Sequence, residues 1–441
     1  MSAKPARPAG AEAAEIDPSA SHFGYYAVML LMFVYTVNII DRNIIIILIE
    51  PIGKDMKLSD TQLGMLTGPV YAVFYAIGNI AFAYWSDRGN RRNIILITLT
   101  LFAGMTVLCG FAMSFVQLML ARVVIGLGQG GTSPSAHSMI SDMFPPERRA
   151  AALGTYFIGT NVGQFLLFLV GGWISQLYGW RITLWVAGVP GLLLVPLIWL
   201  TLREPQRGHA DGLSKQSGAA APGILEVVSH LWGSRSFRHI IAGVSVGSIG
   251  SYAIVIWFPP FMARSYGLSI GEVGTLMAVM AGGVGAIGTW GSGHLADHLG
   301  KRDVRWNAWM VAILTILLFP FTAGMYLANA KWVTIGLYLY PALVFMAQMP
   351  ACFAMTQALS TIRMRALSSA LFFFVLTLVG QGVAPPLVGF ISDTLQPHYG
   401  AESLRYSLLA MTIFWPWAAL HYWLAARSLK DDIERTRQMA M

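Results

Sequence analysis

Apolar runs recur from one end of the chain to the other, separated by short polar breaks that hold Gly, Pro and most of the Lys and Arg. Each run approaches the ~20 residues that a helix needs to cross a bilayer core. None shows the strict alternation of a barrel strand. Open sheet edges cannot face lipid, so the runs predict helices. Twelve spans are expected, near 23–49, 62–85, 93–113, 117–140, 150–176, 182–202, 239–261, 271–293, 305–328, 332–356, 366–391 and 404–426. The longest break, 203–238, divides them six and six. Its Gly/Ala/Ser-rich first part reads as flexible, and 223–238 as a short amphipathic helix on the membrane surface. Residues 1–22 lack an apolar core. They read as a disordered cytosolic tail, not a cleavable signal, and 427–441 as a second tail.

Composition sharpens this picture. Of 441 residues, 56% are hydrophobic and 11% charged, against roughly a quarter charged in soluble proteins. The net charge of +8 is spread over short loops. That is a topology signal, not a nucleic-acid footprint. Its bias places both termini in the cytosol, in the inner membrane if the source is bacterial. The expected fold is an all-α membrane protein of two six-helix bundles, spanning 23–202 and 239–426. Cys109 and Cys352 lie inside apolar runs, and no metal-ligand spacing occurs, so no metal or cofactor is expected.

Charge at membrane depth is the exception that calls for a function. Asp41 and Arg42 sit side by side deep in the first run. An ionisable residue there costs at least ~2.5 kcal/mol on insertion scales. Asp41 lies ~27 Å along its helix from Phe23, and Arg122 ~8 Å along the fourth, which runs the other way. Both depths fall in the outer third. Asp41 and Arg122 are therefore an expected pair, with Arg42 as the alternative or a second member. In the functional reading Asp41 takes up a proton and releases Arg122. The bland alternative is a static ion pair between helices. Glu50, at the end of the first run, is the next coupling candidate.

The halves repeat. AYWSDRGNRR (83–92) follows the second run and GHLADHLGKR (293–302) the eighth. Asp87 aligns with Asp297, Arg88 with His298, Arg91 with Lys301 and Arg92 with Arg302. A weaker echo relates DMFPPERRA (142–150) to STIRMRA (360–366). Such a repeat is expected of one transporter architecture. The two loop motifs resemble the signature of the major facilitator superfamily, with departures at Ala83, Asn90 and His298. RVVIGLGQG (122–130) resembles the family's second motif. Span five has Gly154, Gly159 and Gly163 but not the Gly-Pro pair of drug antiporters. NIIDRN (38–43), EPI (50–52), LSDTQLGML (58–66) and WSDRGNRR (85–92) are similar to spinster-like proteins, a resemblance that implies export of lysophospholipids or sphingolipids.

The resemblance also implies a cytosolic gate. Asp87 would cap a helix or pair with Arg148 or Arg149. Arg88, Arg91, Arg92, Asp142, Asp297, Lys301 and Arg302 complete the gate set. Sparse polar residues within spans, Asn38, Gln129, Asn161, Gln164, Gln348 and Gln381, are candidates for the cavity, each weighed against helix-to-helix hydrogen bonding. His137 reads as packing. Spans seven to twelve offer no acid or base away from their edges, but Tyr252, Trp257 and Phe373. A cavity charged on one half and aromatic on the other suits an amphipathic solute. GVGAIG (283–288) matches a nucleotide-binding pattern by letter, but no strand precedes it, so close helix packing is the reading. No catalytic constellation and no phosphate-binding lysine motif is present, so an enzyme is not expected and uphill transport would need an ion gradient. The leading reading is a proton-linked transporter of a lipid-like solute, working as a monomer. Alternatives are a proton symporter of small organic anions such as sugar acids, and a non-transporting receptor or scaffold.

Overall fold

A computed structural model describes residues 18–207, 223–361 and 364–439. Among these residues the fold is helical throughout, without strands. The N-terminal half holds α1 (Pro18–Met56), α2 (Asp60–Thr67), α3 (Pro69–Arg88), α4 (Arg91–Cys109), α5 (Phe115–Gln129), α6 (Thr132–Met143), α7 (Pro146–Tyr178) and α8 (Trp180–Thr201). A connecting helix, α9 (Ile224–Gly233), leads into the C-terminal half. That half holds α10 (Arg235–Tyr266), α11 (Ile270–Met277), α12 (Gly285–Gly300), α13 (Trp306–Leu327), α14 (Lys331–Ala358), α15 (Arg365–Val375), α16 (Gly382–Tyr399), α17 (Ser403–Met411) and α18 (Phe414–Met439). Below, the near face is where α1 begins and the far face is where it ends.

Ten stretches among the described residues are long and apolar enough to cross a membrane. The fourth expected span is missing from that count because a break at Gly130–Gly131 leaves α5 and α6 short. The last two run together as Leu367–Gln438. Joined end to end, the rods are compatible with the twelve expected spans. Two of them are interrupted by π-helical turns, Ala278–Val284 between α11 and α12 and Leu376–Gln381 between α15 and α16. Pro385 and Pro386 follow the second, and their missing N–H groups free carbonyls one turn back. Large apolar side chains such as Leu120, Leu193, Leu200, Phe390 and Ile413 point outward, as a lipid-facing belt requires.

α1 extends past the expected run at both ends, beginning at Pro18 inside the reach read as a tail. The remainder of that tail lies outside the described residues. α18 likewise carries the helix through most of 427–441. The amphipathic helix expected within 223–238 is α9, with Val227 and Leu231 buried against the C-terminal bundle and Ile224, Leu225 and Trp232 turned outward.

The halves meet in a seam toward the far face, and two glycines set its closeness. α2 and α11 open with the same capping box, Ser59 with Gln62 and Ser269 with Glu272. Five residues beyond each cap stands a glycine. A Cβ at Gly64 would lie 2.3 Å from the Pro385 carbonyl oxygen of α16, and one at Gly274 2.3 Å from that of Phe168 on α7. The two crossings are equivalent places in the repeat: α2 on α16, and α11 on α7.

Gly64→Ala is expected to destabilise this closed seam by about 1–3 kcal/mol, the usual cost of overpacking. Spin labels on the exposed far-face positions Lys54 and Gln396 give the check. The parent protein should show one short distance, and Gly64→Ala an added longer population. An unchanged distance distribution would mean that the crossing is not tight.

Candidate solute cavity and buried charge network

Between the halves, below the seam, lies a cavity of about 240 Å³. α1 and α7 give the N-terminal wall, including Arg42, Asn43, Gln164 and Phe168. The C-terminal wall is mostly apolar and aromatic, with Tyr252, Val255, Leu318, Tyr338, Phe345 and Trp415. Among the described residues Arg42 is the one charged member of the lining. Its guanidinium lies 4.7 Å from the Tyr75 ring centroid and 5.5 Å from that of Tyr71. It also donates to Gln381 Oε1 at 3.4 Å, across the halves. Two tyrosine faces thus hold a cation at the cavity wall without neutralising it.

Asp41 is next to Arg42 in sequence but about 100° round the helix, so it faces the inside of its own bundle. It is almost wholly buried. Thr106 on α4 donates to one carboxylate oxygen and Gln129 on α5 to the other. Tyr71 donates to Gln129 Oε1 at 2.6 Å, which turns the amide nitrogen toward Asp41. Arg122 does not bond Asp41 directly. Its guanidinium stands 4.7 Å from the Tyr71 centroid, and its Nε and Nη1 have no acceptor. The direct pair expected from matched depth is therefore replaced by a short network. Thr106 and Gln129 satisfy Asp41, and the Tyr71 ring holds Arg122.

A second charge cluster closes the far face. Arg264, near the end of α10, meets Glu50 at 2.8 Å and both oxygens of Asp60 at 2.8 Å. Ser392 donates to Asp60 at 2.6 Å, and Asp393 accepts from the backbone and hydroxyl of Thr61. Lys54 adds an exposed contact to Glu50 at 3.2 Å. Glu50 thus sits in an inter-half clasp.

On the near face the repeat motif is built around Arg91, which is fully buried. It pairs with Asp142 and with Glu204, the latter at 2.7 Å, and donates to Ser138 and to the Pro205 carbonyl. Arg207 donates to the carbonyls of Ser86, Asp87 and Gly89 at the end of α3. The expected pairing of Asp87 with Arg148 or Arg149 is not made in this conformation. The end of α3 is held by Arg207, and Arg149 reaches the Ser141 carbonyl. Arg88 lies over the Tyr84 ring, and Arg92 bonds Trp199 and Glu204. Lys301 and Arg302 are exposed beyond α12. The side chain of Asp297 lies outside the described residues.

Of the expected cavity residues, Gln164, Tyr252 and Gln381 line the cavity. Asn161 is exposed one turn nearer the near face, on the α7 stripe that carries Gln164 and Phe168. Gln129 belongs to the Asp41 network instead. Asn38 and Gln348 are buried off the lining. Trp257 and Phe373 do not line it either. Trp257 is fully buried and donates to the Pro385 carbonyl, so its ring packs the seam. Phe373 is half exposed and packs on Phe353 and Phe372. Rotation about the helix axis decides these cases, and a near-uniform apolar run does not encode it. The sequence pattern does not single out Arg264, Asp60 or Asp393: the first two sit at helix ends and the third just past the expected run, so all pass for loop charges. A signal was available: the L-S-x-x-[Gln/Glu]-x-Gly stretch at 58–64 recurs at 268–274, at the same offset that relates Asp87 to Asp297.

A helical membrane protein with two repeated bundles, a central cavity and a seam closed at one face has the architecture of a secondary transporter. The chain belongs to the Major Facilitator Superfamily, whose family model matches residues 31–385. It is similar to a structure described as a bacterial homolog to human lysosomal transporter, spinster, in an inward-facing and unoccupied conformation. The TM-score is 0.86 at 29% identity, covering 93% of this chain and 98% of that one. An MFS-type efflux pump of Mycolicibacterium smegmatis is 33% identical, over 93% of this chain and 95% of the relative. Protein spinster of Drosophila melanogaster is 25% identical, over 85% of this chain and 63% of the relative.

Arg264→Ala leaves Glu50 and Asp60 without the cation they share, with only the exposed Lys54 still on Glu50. Breaking a buried pair this way costs about 3–5 kcal/mol. The closed far face should therefore lose population. A cysteine placed at Gln164 should then become reactive to an impermeant thiol reagent added from the far face. Continued protection there would show that the apolar seam alone holds the closure.

Proposed function

We propose that the protein is a proton-linked transporter of an amphipathic, anionic-headed lipid such as a lysophospholipid, working by alternating access. One observation carries this reading: among the described residues, a single unneutralised cation, Arg42, on one wall of a cavity whose opposite wall is mostly apolar and aromatic. An anionic head meets Arg42, Asn43 and Gln164, and an acyl tail lies against Val255, Leu318 and Phe345. The near face is taken as cytosolic, because the basic loops lie there. The seam then closes the outer side, as in the inward-facing relative.

Asp41 is the proposed proton carrier. Ionised, it accepts from Thr106 and Gln129. Protonated, it loses the charge that Arg122 senses and one of its acceptor sites. Proton release and uptake on opposite sides of the membrane then tie solute movement to the gradient. The relative described as an efflux pump supports export as the direction.

Thermal unfolding of the purified protein tests the solute class, since a ligand that binds only the folded state raises the melting temperature. Lysophospholipids should stabilise it and sugar acids should not, at each of two pH values. Arg42→Ala should abolish the shift. Stabilisation by sugar acids alone would replace the lipid with a small organic anion. For coupling, Asp41→Asn should keep solute binding and exchange while net transport loses its pH dependence. An unchanged pH profile would remove Asp41 from the coupling role and turn attention to Glu50.

A further inference from the structure

Tyr71 is fully buried in the first turn of α3, yet it meets both arginines of the site through its ring and reaches Asp41 through its hydroxyl and Gln129. Arg42 and Arg122 lie over the ring at 5.5 and 4.7 Å. The hydroxyl donates to Gln129 Oε1 at 2.6 Å, and Gln129 donates to Asp41. No other side chain joins the cavity cation to the buried carboxylate in so few contacts among the described residues.

We propose that Tyr71 is the positioning residue that couples the solute site to the proton site. This rests on the transport reading above. The physical basis has two parts. First, an amide has two ends, one accepting and one donating. The Tyr71 hydroxyl can only donate to Gln129 Oε1 while Gln129 donates onward. It therefore fixes the orientation in which the amide nitrogen faces Asp41. Second, two cations lie against one aromatic ring and repel each other. An anion that neutralises Arg42 from the cavity relieves that repulsion, and the ring can then hold Arg122 more firmly. Solute at Arg42 thus changes where Arg122 sits and how Gln129 meets Asp41, although solute and Asp41 never touch. Coupling of this kind needs differential contacts in the two states, and the shared ring supplies them.

The groups around Asp41 that bear on its proton are Arg122 on α5, Tyr71 on α3 and Cys109 on α4, with Thr106 and Gln129 as its hydrogen-bond donors. Of these, Tyr71 alone also reaches Gln129 by a hydrogen bond.

Two substitutions separate the hydroxyl from the ring. Tyr71→Phe keeps the aromatic face and its packing but releases the Gln129 amide. Its maximal rate of pH-driven lysophospholipid transport in proteoliposomes should fall about tenfold, while the half-saturating solute concentration moves less than twofold. Its rate should also vary less with pH than that of the parent. Tyr71→Leu removes the ring as well and should weaken half-saturation several-fold in addition. A double-mutant cycle with Gln129→Ala completes the test: if Tyr71 acts through Gln129, Tyr71→Phe adds little on that background. A Tyr71→Phe protein that matches the parent in rate and pH profile would overturn the proposal. So would equal loss of rate and half-saturation, or full additivity with Gln129→Ala. A parent protein that moves lysophospholipid without any response to a pH gradient would instead fail the transport reading, so the two failures are distinguishable.

Discussion

A carboxylate has been placed where water cannot solvate it, and much of the N-terminal bundle is arranged around that fact. Asp41 is 1% exposed in a helix bundle built for a bilayer. Burial of an ionised group without partners costs far more than a fold can spare. The chain meets this cost with donors from separate helices: Thr106 from α4 and Gln129 from α5, the latter held by Tyr71 of α3. Four helices are thereby tied to one side chain. The same requirement explains why polar residues are sparse elsewhere in these helices, since each further one would need partners of its own.

Arg122 shows the complementary problem. Its guanidinium is buried, with two nitrogens unbonded, and is held chiefly by an aromatic face. A quadrupole attracts a cation less strongly than a carboxylate at hydrogen-bond distance. Arg122 is therefore held less firmly than a direct ion pair would hold it. A static ion pair would have shown the opposite: a direct Asp41–Arg122 contact with every nitrogen satisfied. The network is better suited to changing partners than to fastening two helices together.

The architecture was legible in the sequence because it follows from gross quantities. Run length and the scarcity of charge predict helices in a bilayer, and the 83–92 and 293–302 motifs reveal the repeat. The identity of the unusual charges was legible for the same reason, since Asp41, Arg42 and Arg122 stand out against apolar neighbours. Their partners were not. Tyr71 and Thr106 look like any residues of a membrane helix, and only the packing of α3, α4 and α5 brings them together. The cavity aromatics failed for a related reason: Trp257 and Tyr252 lie on the same helix, and its rotation sends one into the seam and the other to the wall. Helix ends were misread in another way. Arg264 and Asp60 look like loop charges until the seam buries them against each other.

The far face combines two kinds of closure with different responses to change. The glycine crossings of α2 on α16 and α11 on α7 gain from close backbone approach, through dispersion that falls away within a fraction of an ångström. The Arg264 clasp gains from charge, which reaches further and weakens as water enters. Opening that face must first part the glycine contacts, because they tolerate no gap. Once water reaches the clasp, the attraction of Arg264 for Glu50 and Asp60 falls as the local dielectric rises, and both carboxylates regain hydration. On opening, the two devices would therefore release in sequence. Closure is sharp where the helices touch and graded where the charges meet, which favours two defined states over a continuum of partly open ones.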